Sequence, residues 1–390
     1  MKRILAIFTV ILFVVPFFGS LLIFGEQSGV FLPSENRQVV SMTGIDRFTS
    51  HGLKRFFGNK NQYIDDRLMG KEELVPVLNE LLLDPEKVSR FDLSKGLIGK
   101  NEWIFLGNDY SRVIDKHCQE NFPLDNYEFQ SSINKIDLLK NTTEGLGGTY
   151  VLFIAPDKHN IYCDELPQWL GDTCKNSEIY TRKLISKIED ETSVNVIYPA
   201  LELKSQISKG QLFHKSDTHW NFLGGKVGFV TLMKNMERLG LIRDFQEIPL
   251  MDLKQIRNEK LGDLAHILAL PSGYKISKDF DYLFQRSDQL FVKWREANKK
   301  EQLTSFTISS GNASPKFQAY MKNELAAYTM RILVFCDSFN HALSPYFNLY
   351  FSDVLYTSRH CSVDEKIDSI RKFKPTIVLD EIVERNLDNL

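Results

Sequence analysis

Arg331-Ile332-Leu333-Val334-Phe335-Cys336-Asp337-Ser338-Phe339 is the stretch that decides the fold. Its apolar residues occupy both parities of the run. A strand with one wet face alternates apolar and polar residues, whereas an unbroken apolar run is covered on both faces. Similar runs stand at Thr149 to Ala155, Val194 to Tyr198, Val354 to Thr357 and Thr376 to Leu379. Between them lie stretches with helical spacing, Asn134 to Thr143, Glu178 to Ile188, Gly225 to Leu239 and Val363 to Phe373. Strands alternating with helices predict an α/β fold, a mostly parallel sheet flanked by helices.

The chain extends on both sides of this pattern. Gly99 to Gly107 reads as a tight turn entering a short strand, and residues 243–330 read as an irregular, charged insertion. Upstream, Lys71 to Leu83 carries Leu74, Val77, Leu78 and Leu81 at helical spacing. Residues 26–95 are therefore expected to be a membrane-proximal helical region, and 96–390 the main domain.

Met1-Lys2-Arg3 precedes an uncharged apolar run from Ile4 to Phe24, interrupted only by Pro16 and Gly19. About 20 apolar residues cross a bilayer's hydrocarbon core. The reading is an N-terminal transmembrane helix over residues 1–25, acting as an uncleaved signal-anchor. Lys2 and Arg3 favour a cytoplasmic N-terminus, leaving the rest outside the cytosol. A cleaved signal peptide is the competing reading, but the run exceeds the usual ~7–15-residue apolar core. The expectation is a single-pass protein of the bacterial inner membrane.

The 390 residues carry 48 Lys+Arg against 50 Asp+Glu, a formal net charge of -2. Nucleic-acid binding, which draws on a concentrated basic surface, is not expected. Five cysteines form no C-x-x-C and no cluster with histidines, so neither a metal nor a cofactor is called. Cys163 and Cys174 flank a short loop and are a candidate disulfide pair; Cys336 reads as a buried small hydrophobe.

The chemistry begins at Ser338, which ends the apolar strand and opens a short helix. In open α/β sheets sites gather at the carboxyl ends of strands. A serine hydroxyl needs an oriented imidazole to take its proton. Lys215-Ser216-Asp217-Thr218-His219-Trp220-Asn221 supplies one. In an extended segment Asp217 and His219 point the same way, so the acid can fix the imidazole that serves Ser338. Asp337 is a competing acid, better placed to shape the serine's turn. Lys158, Tyr162, His214, Trp220 and Tyr346 are further candidates for lining a substrate cleft, with packing as the alternative role, above all for Trp220. His117, His159 and His341 rank lower. The chain has no Walker loop, no G-x-G-x-x-G after a strand and no G-x-S-x-G elbow.

Lys215 to Asn221 followed by Gly224-Gly225 resembles the Asp-x-His block of the alginate O-acetyltransferase family, SGNH-hydrolase-like polysaccharide acetyltransferases of the periplasm. Gly99 to Phe105, Ala155-Pro156-Asp157-Lys158 with Tyr162, Gly262-Asp263-Leu264, Asp337-Ser338-Phe339 and Glu384-Arg385-Asn386-Leu387 are similar to that family as well, in the same order. The resemblance implies an SGNH-hydrolase-like fold with Ser338 as acetyl-accepting nucleophile, His219 as base and Asp217 as orienting acid. It also implies a polysaccharide acceptor, such as an alginate-like exopolysaccharide, and a membrane-bound O-acyltransferase as acetyl donor. Cys336 stands where that family commonly has a glycine, and cysteine lacks glycine's freedom at positive φ. A glycan O-acetylesterase with the same three residues is the alternative reading. A non-catalytic glycan-binding or scaffold protein of an acetylation complex is another.

Overall fold

The computed structural model describes residues 94–119, 122–171, 173–176, 178–247, 253–270, 274, 276–284 and 318–389, together with a short antiparallel pair, Phe31–Leu32 with Arg37–Gln38. In chain order the main elements begin with an antiparallel hairpin, β1 (Gly96–Ile98) and β2 (Ile104–Leu106). Then follow α1 (Val113–Cys118), α2 (Asn126–Glu144), β3 (Thr149–Ala155), α3 (Ile179–Thr192), β4 (Asn195–Ile197) and α4 (Phe222–Arg238). A second hairpin pairs β5 (Leu253–Arg257) with β6 (Phe280–Phe284). The chain closes through β7 (Gln318–Lys322), β8 (Tyr328–Cys336), β9 (Phe351–Ser358), α5 (Val363–Phe373) and β10 (Ile377–Val383).

Six strands form the central sheet in the order β4-β3-β10-β8-β9-β7. Neighbours run parallel except at the edge, where β7 lies antiparallel to β9. The two parities of the deciding stretch go to different cores. Ile332, Val334 and Cys336 face one cluster with Val151, Phe153 and Ala155 of β3. Leu333 and Phe335 face the other, with Tyr150, Leu152 and Ile154. Helices cover both faces, which is why Ile332 to Cys336 are apolar at both parities, although the neighbouring β10 buries Asp380 and Glu381.

Helix boundaries follow local capping chemistry. Asp125 accepts from the Tyr127 and Glu128 backbone N–H groups, so α2 starts well before Asn134. Asn221 does the same for Leu223 and Gly224, starting α4 at Phe222. Ser362 and Glu365 form a reciprocal capping box at the start of α5, and Lys374 ends that helix in the left-handed region. The stretch read as irregular, 243–330, contains β5, β6, β7 and a short helix, Asp263–Ile267.

Two expectations are corrected. Among the described residues the fold class is α/β with a largely parallel sheet, and the N-terminal transmembrane helix expected with it is not found there. Among the described residues no helix is long and apolar enough to cross a membrane. The anchor read over residues 1–25, and with it the signal-anchor, the inner-membrane partner and the single-pass placement, lies outside the described residues, as does the Lys71 to Leu83 helix. The disulfide joins Cys118 to Cys174, with Cα atoms 4.1 Å apart, and Cys163 is free. The contact between the end of α1 and the turn Thr173–Asn176 decides the pairing, which nearness in sequence does not.

Candidate active site

Ser338 lies one residue beyond the end of β8, past Asp337, and opens a short 3-10 helix, Ser338–Ala342. Its exposed hydroxyl lies 2.7 Å from His219 Nε2, and His219 Nδ1 lies 2.6 Å from Asp217 Oδ1. A proton on Nδ1 satisfies the Asp217 carboxylate and leaves Nε2 as acceptor for the serine hydroxyl. Asp217 Oδ1 also accepts from the His219 backbone N–H at 3.0 Å, which fixes the two-residue spacing read from the sequence. Burial works to raise the Asp217 carboxyl, but the hydrogen bond and charge of His219 overrule it and hold it well below the usual carboxylate range.

The turn beneath Ser338 is held by carboxyl groups. Asp337 Oδ1 accepts from the Phe339 backbone N–H at 2.8 Å, and Oδ2 from the Val383 N–H at 2.8 Å. Asp337 thus ties β8 to the end of β10. Its own N–H donates to Glu381 Oε2 at 2.9 Å. Cys336 stays in strand register opposite Ser358 and is not among the residues with positive φ, so a glycine's freedom is not needed there. Burial pushes its thiol well up, which makes it a packing group.

His219 is brought to Ser338 by close packing of α4 on the serine's helix. A side chain on Gly225 would come within 2.6 Å of Ala342 Cβ, so only glycine admits this approach. The acid side of the site is braced by a loop far along the chain. Gly262 sits so close that a Cβ there would lie 2.3 Å from Asp217 Cβ. Asp263 accepts from Thr218 N and Oγ1 at 2.7 and 2.6 Å, and its N–H donates to Asp217 Oδ2 at 3.2 Å.

A cleft of about 600 Å³ opens beside Ser338, bordered also by Asn340, His341, Tyr356, His360 and Arg385. Arg385 lies over the Phe339 ring and donates to Asp157 Oδ1 at 2.5 Å. The other sequence candidates are placed elsewhere. The buried Lys158 ammonium donates to the Ile104, His214 and Lys215 carbonyls, and burial pushes it down to about 7. Tyr162 accepts from the Leu212 N–H and stacks on Trp103. Trp220 is buried and donates to the Phe339 carbonyl at 2.8 Å. Tyr346 is buried against Phe229 and donates to the Phe222 carbonyl. His214 donates its backbone N–H to the His219 carbonyl. None of these five borders the cleft. Asp263 and Arg385, by contrast, stand at the site. Their only sequence signal was membership of short segments similar to the family.

Among the described residues, two groups of acidic and histidine side chains are close enough to surround a cation, His117 with Asp157 and Glu384, and Asp217 with His219 and Asp263. Both sets are already engaged. Asp157 is paired with Arg385 and His117, and Glu384 accepts from Thr181, Tyr198 and the Asp157 N–H. In the second set, Asp217 and Asp263 accept the hydrogen bonds described above. These are the donor patterns of hydrogen-bonded networks.

A largely parallel α/β sheet presenting serine, histidine and aspartate in hydrogen-bond series is an arrangement that can support acyl transfer or hydrolysis. Residues 97–327 match the family described as SGNH hydrolase-like domain, acetyltransferase AlgX, and the chain belongs to that family. It is an enzyme of that family's acyl-transfer kind. The matched region contains Asp217 and His219, and Ser338 follows it.

Among solved structures, PatB1 of Bacillus cereus is similar with a TM-score of 0.52 at 16% identity, covering 75% of this chain and 97% of that one. The same protein with a sulfonyl adduct gives 0.51 at 15% identity, covering 75% and 96%. The O-acetyltransferase domain of Pseudomonas putida AlgJ gives 0.48 at 16%, covering 75% and 92%. At such identities the likeness to PatB1 is one of fold. No curated protein matches the chain.

Proposed function

We propose that the enzyme transfers acetyl groups to hydroxyls of an extracytoplasmic polysaccharide through an acetyl group carried on Ser338. The observation that carries the reading is the continuous series Ser338 Oγ, His219 Nε2, His219 Nδ1, Asp217 Oδ1, at 2.7 and 2.6 Å. As Oγ attacks the carbonyl carbon of a donor ester, its proton passes to Nε2. The donor's alcohol leaves with that proton, and the acetyl group stays on Oγ. A sugar hydroxyl then gives its proton to Nε2 as its oxygen attacks the acetyl carbon. Ser338 leaves as the alcohol, taking the proton back.

Charge developing on the acetyl oxygen needs donors beside Ser338. Asp337 already takes the Phe339 and Asn340 N–H groups, so the donors assigned to it are the Ser338 N–H, where the turn opens, and the Asn340 side chain, which borders the cleft. Asp217 holds the ring and stabilises the imidazolium formed in each half. The family's description as acetyltransferase supports the acyl group, and the motif resemblance supports the glycan acceptor. The Cys118–Cys174 disulfide suits an oxidising compartment.

The test is Ser338→Ala, assayed with p-nitrophenyl acetate as donor and for glycan acetylation in cells. Activity falls by at least roughly 10³-fold, the scale seen when a serine nucleophile is removed. Undiminished acetylation by a folded variant would sink the proposal.

A further inference from the structure

We propose that a second cavity, on the Ser216 and Gly262 side of Asp217, is a glycosyl subsite holding the acceptor chain beyond the reacting sugar. The inference rests on the polysaccharide reading above and concerns where the polymer lies. This cavity, of about 380 Å³, is bordered by Ser216, Asn258, Glu259, Tyr274 and Asp279, and shares no residue with the cleft at Ser338. Ser338 borders the first cavity, and Ser216, next to Asp217 in the chain, borders the second. Ser338 is exposed, and the side chains of His219 and Asp217 keep 27% and 25% of their surface.

The floor of this cavity is built and already satisfied. Asp279 is buried, and its carboxylate accepts from the Lys215 N–H at 3.0 Å, from Gln211 Nε2 at 2.5 Å and from Asn258 Nδ2 at 3.3 Å. Those bonds hold Asn258 in place at the wall. Tyr274 is half-buried, offering an aromatic face with a hydroxyl at its tip. A sugar ring has the matching pair of surfaces, an apolar C–H face and a rim of hydroxyls. The charged groups at the rim are of both signs, Arg257 and Lys260 against Glu259, which does not select a single ligand charge. An uncharged glycosyl residue fits this mixture.

The cavity also touches the machinery. Ser216 Oγ accepts from the Gly262 N–H at 3.0 Å, and Gly262 packs on Asp217. A sugar bound here bears on the same loop that braces the acid. Binding energy from parts of a substrate remote from the reacting group can then raise turnover.

The experiment uses the full chain with p-nitrophenyl acetate as donor and β-linked glucose and N-acetylglucosamine oligomers, monomer to hexamer, as acceptors. In the wild type, kcat/KM for transfer rises with acceptor length. Tyr274→Ala lowers transfer to the hexamer roughly tenfold, about 1.4 kcal/mol, while nitrophenol release and transfer to monomer are unchanged. Tyr274→Phe, which keeps the ring, retains most of the length dependence. Transfer independent of length in the wild type overturns the subsite, as does length dependence surviving in Tyr274→Ala. A parallel loss of nitrophenol release in Tyr274→Ala also overturns it. If the wild type releases no nitrophenol, the acetyl-enzyme reading fails instead. Calorimetric binding of the hexamer, lost in Tyr274→Ala and kept in Tyr274→Phe, then decides the subsite alone.

Discussion

Ser338 depends on carboxyl groups that do not touch the reacting atoms. Asp337 ties its turn to β10, and Glu381 accepts the N–H of Asp337 from beneath. Glu381 is buried, and burial first, then the neighbouring Asp337, push its carboxyl well above the usual range. The fold therefore holds a proton that the unfolded chain releases above about 4.5. That contribution to stability is fully present below this pH. It is lost as pH rises toward the folded value, at up to about 1.4 kcal/mol per pH unit. Glu381→Gln, which cannot ionise, removes the slope. Denaturant melts should show the variant gaining on wild type from about pH 5 to about pH 8; parallel curves would contradict the assignment. Asp217, His219 and Ser338 were legible in the sequence because two-residue spacing and a strand end carry geometric meaning locally. Glu381, Asp263 and Arg385 reach the site only through strand order and loop packing, which no local pattern encodes.

At the scale of elements, the same contrast holds between periodicity and contact. The runs at β3, Ile332 to Cys336 of β8 and the start of β10 were readable because burial on both faces leaves a continuous apolar run; the reading of β10 stopped at Leu379, where buried Asp380 and Glu381 break that run. The true starts of α2 and α4 were missed because caps at Asp125 and Asn221, and not apolar spacing, set them. Cysteine pairing was missed for another reason. Cys118 and Cys174 are separated by 56 residues, and only the packing of α1 on the turn Thr173–Asn176 brings them together. A cross-link closing a loop of that length contributes about 2–4 kcal/mol. Cys118→Ser with Cys174→Ser should lower unfolding free energy by about that amount in urea titrations. A variant as stable as the wild type would show that the cross-link constrains little. Cys163, free in the fold, should remain alkylatable after denaturation without reductant.

Across the whole molecule, the sheet order brings together what the sequence scatters. The carboxyl ends of β3, β10 and β8 lie side by side and deliver Asp157, Arg385 and Ser338 to one end of the sheet. His219 arrives from the loop before α4, which is seated by Gly225 against the serine's helix. The central claim is that Ser338, activated by His219, carries the transferred acetyl group. Intact-mass and peptide mass spectrometry after a rapid quench with p-nitrophenyl acetate tests it most directly. The expected result is a single added acetyl group on the peptide bearing Ser338, absent from Ser338→Ala and formed far more slowly in His219→Ala. An acetyl group on a different residue, or turnover with no adduct at any time point, would contradict it.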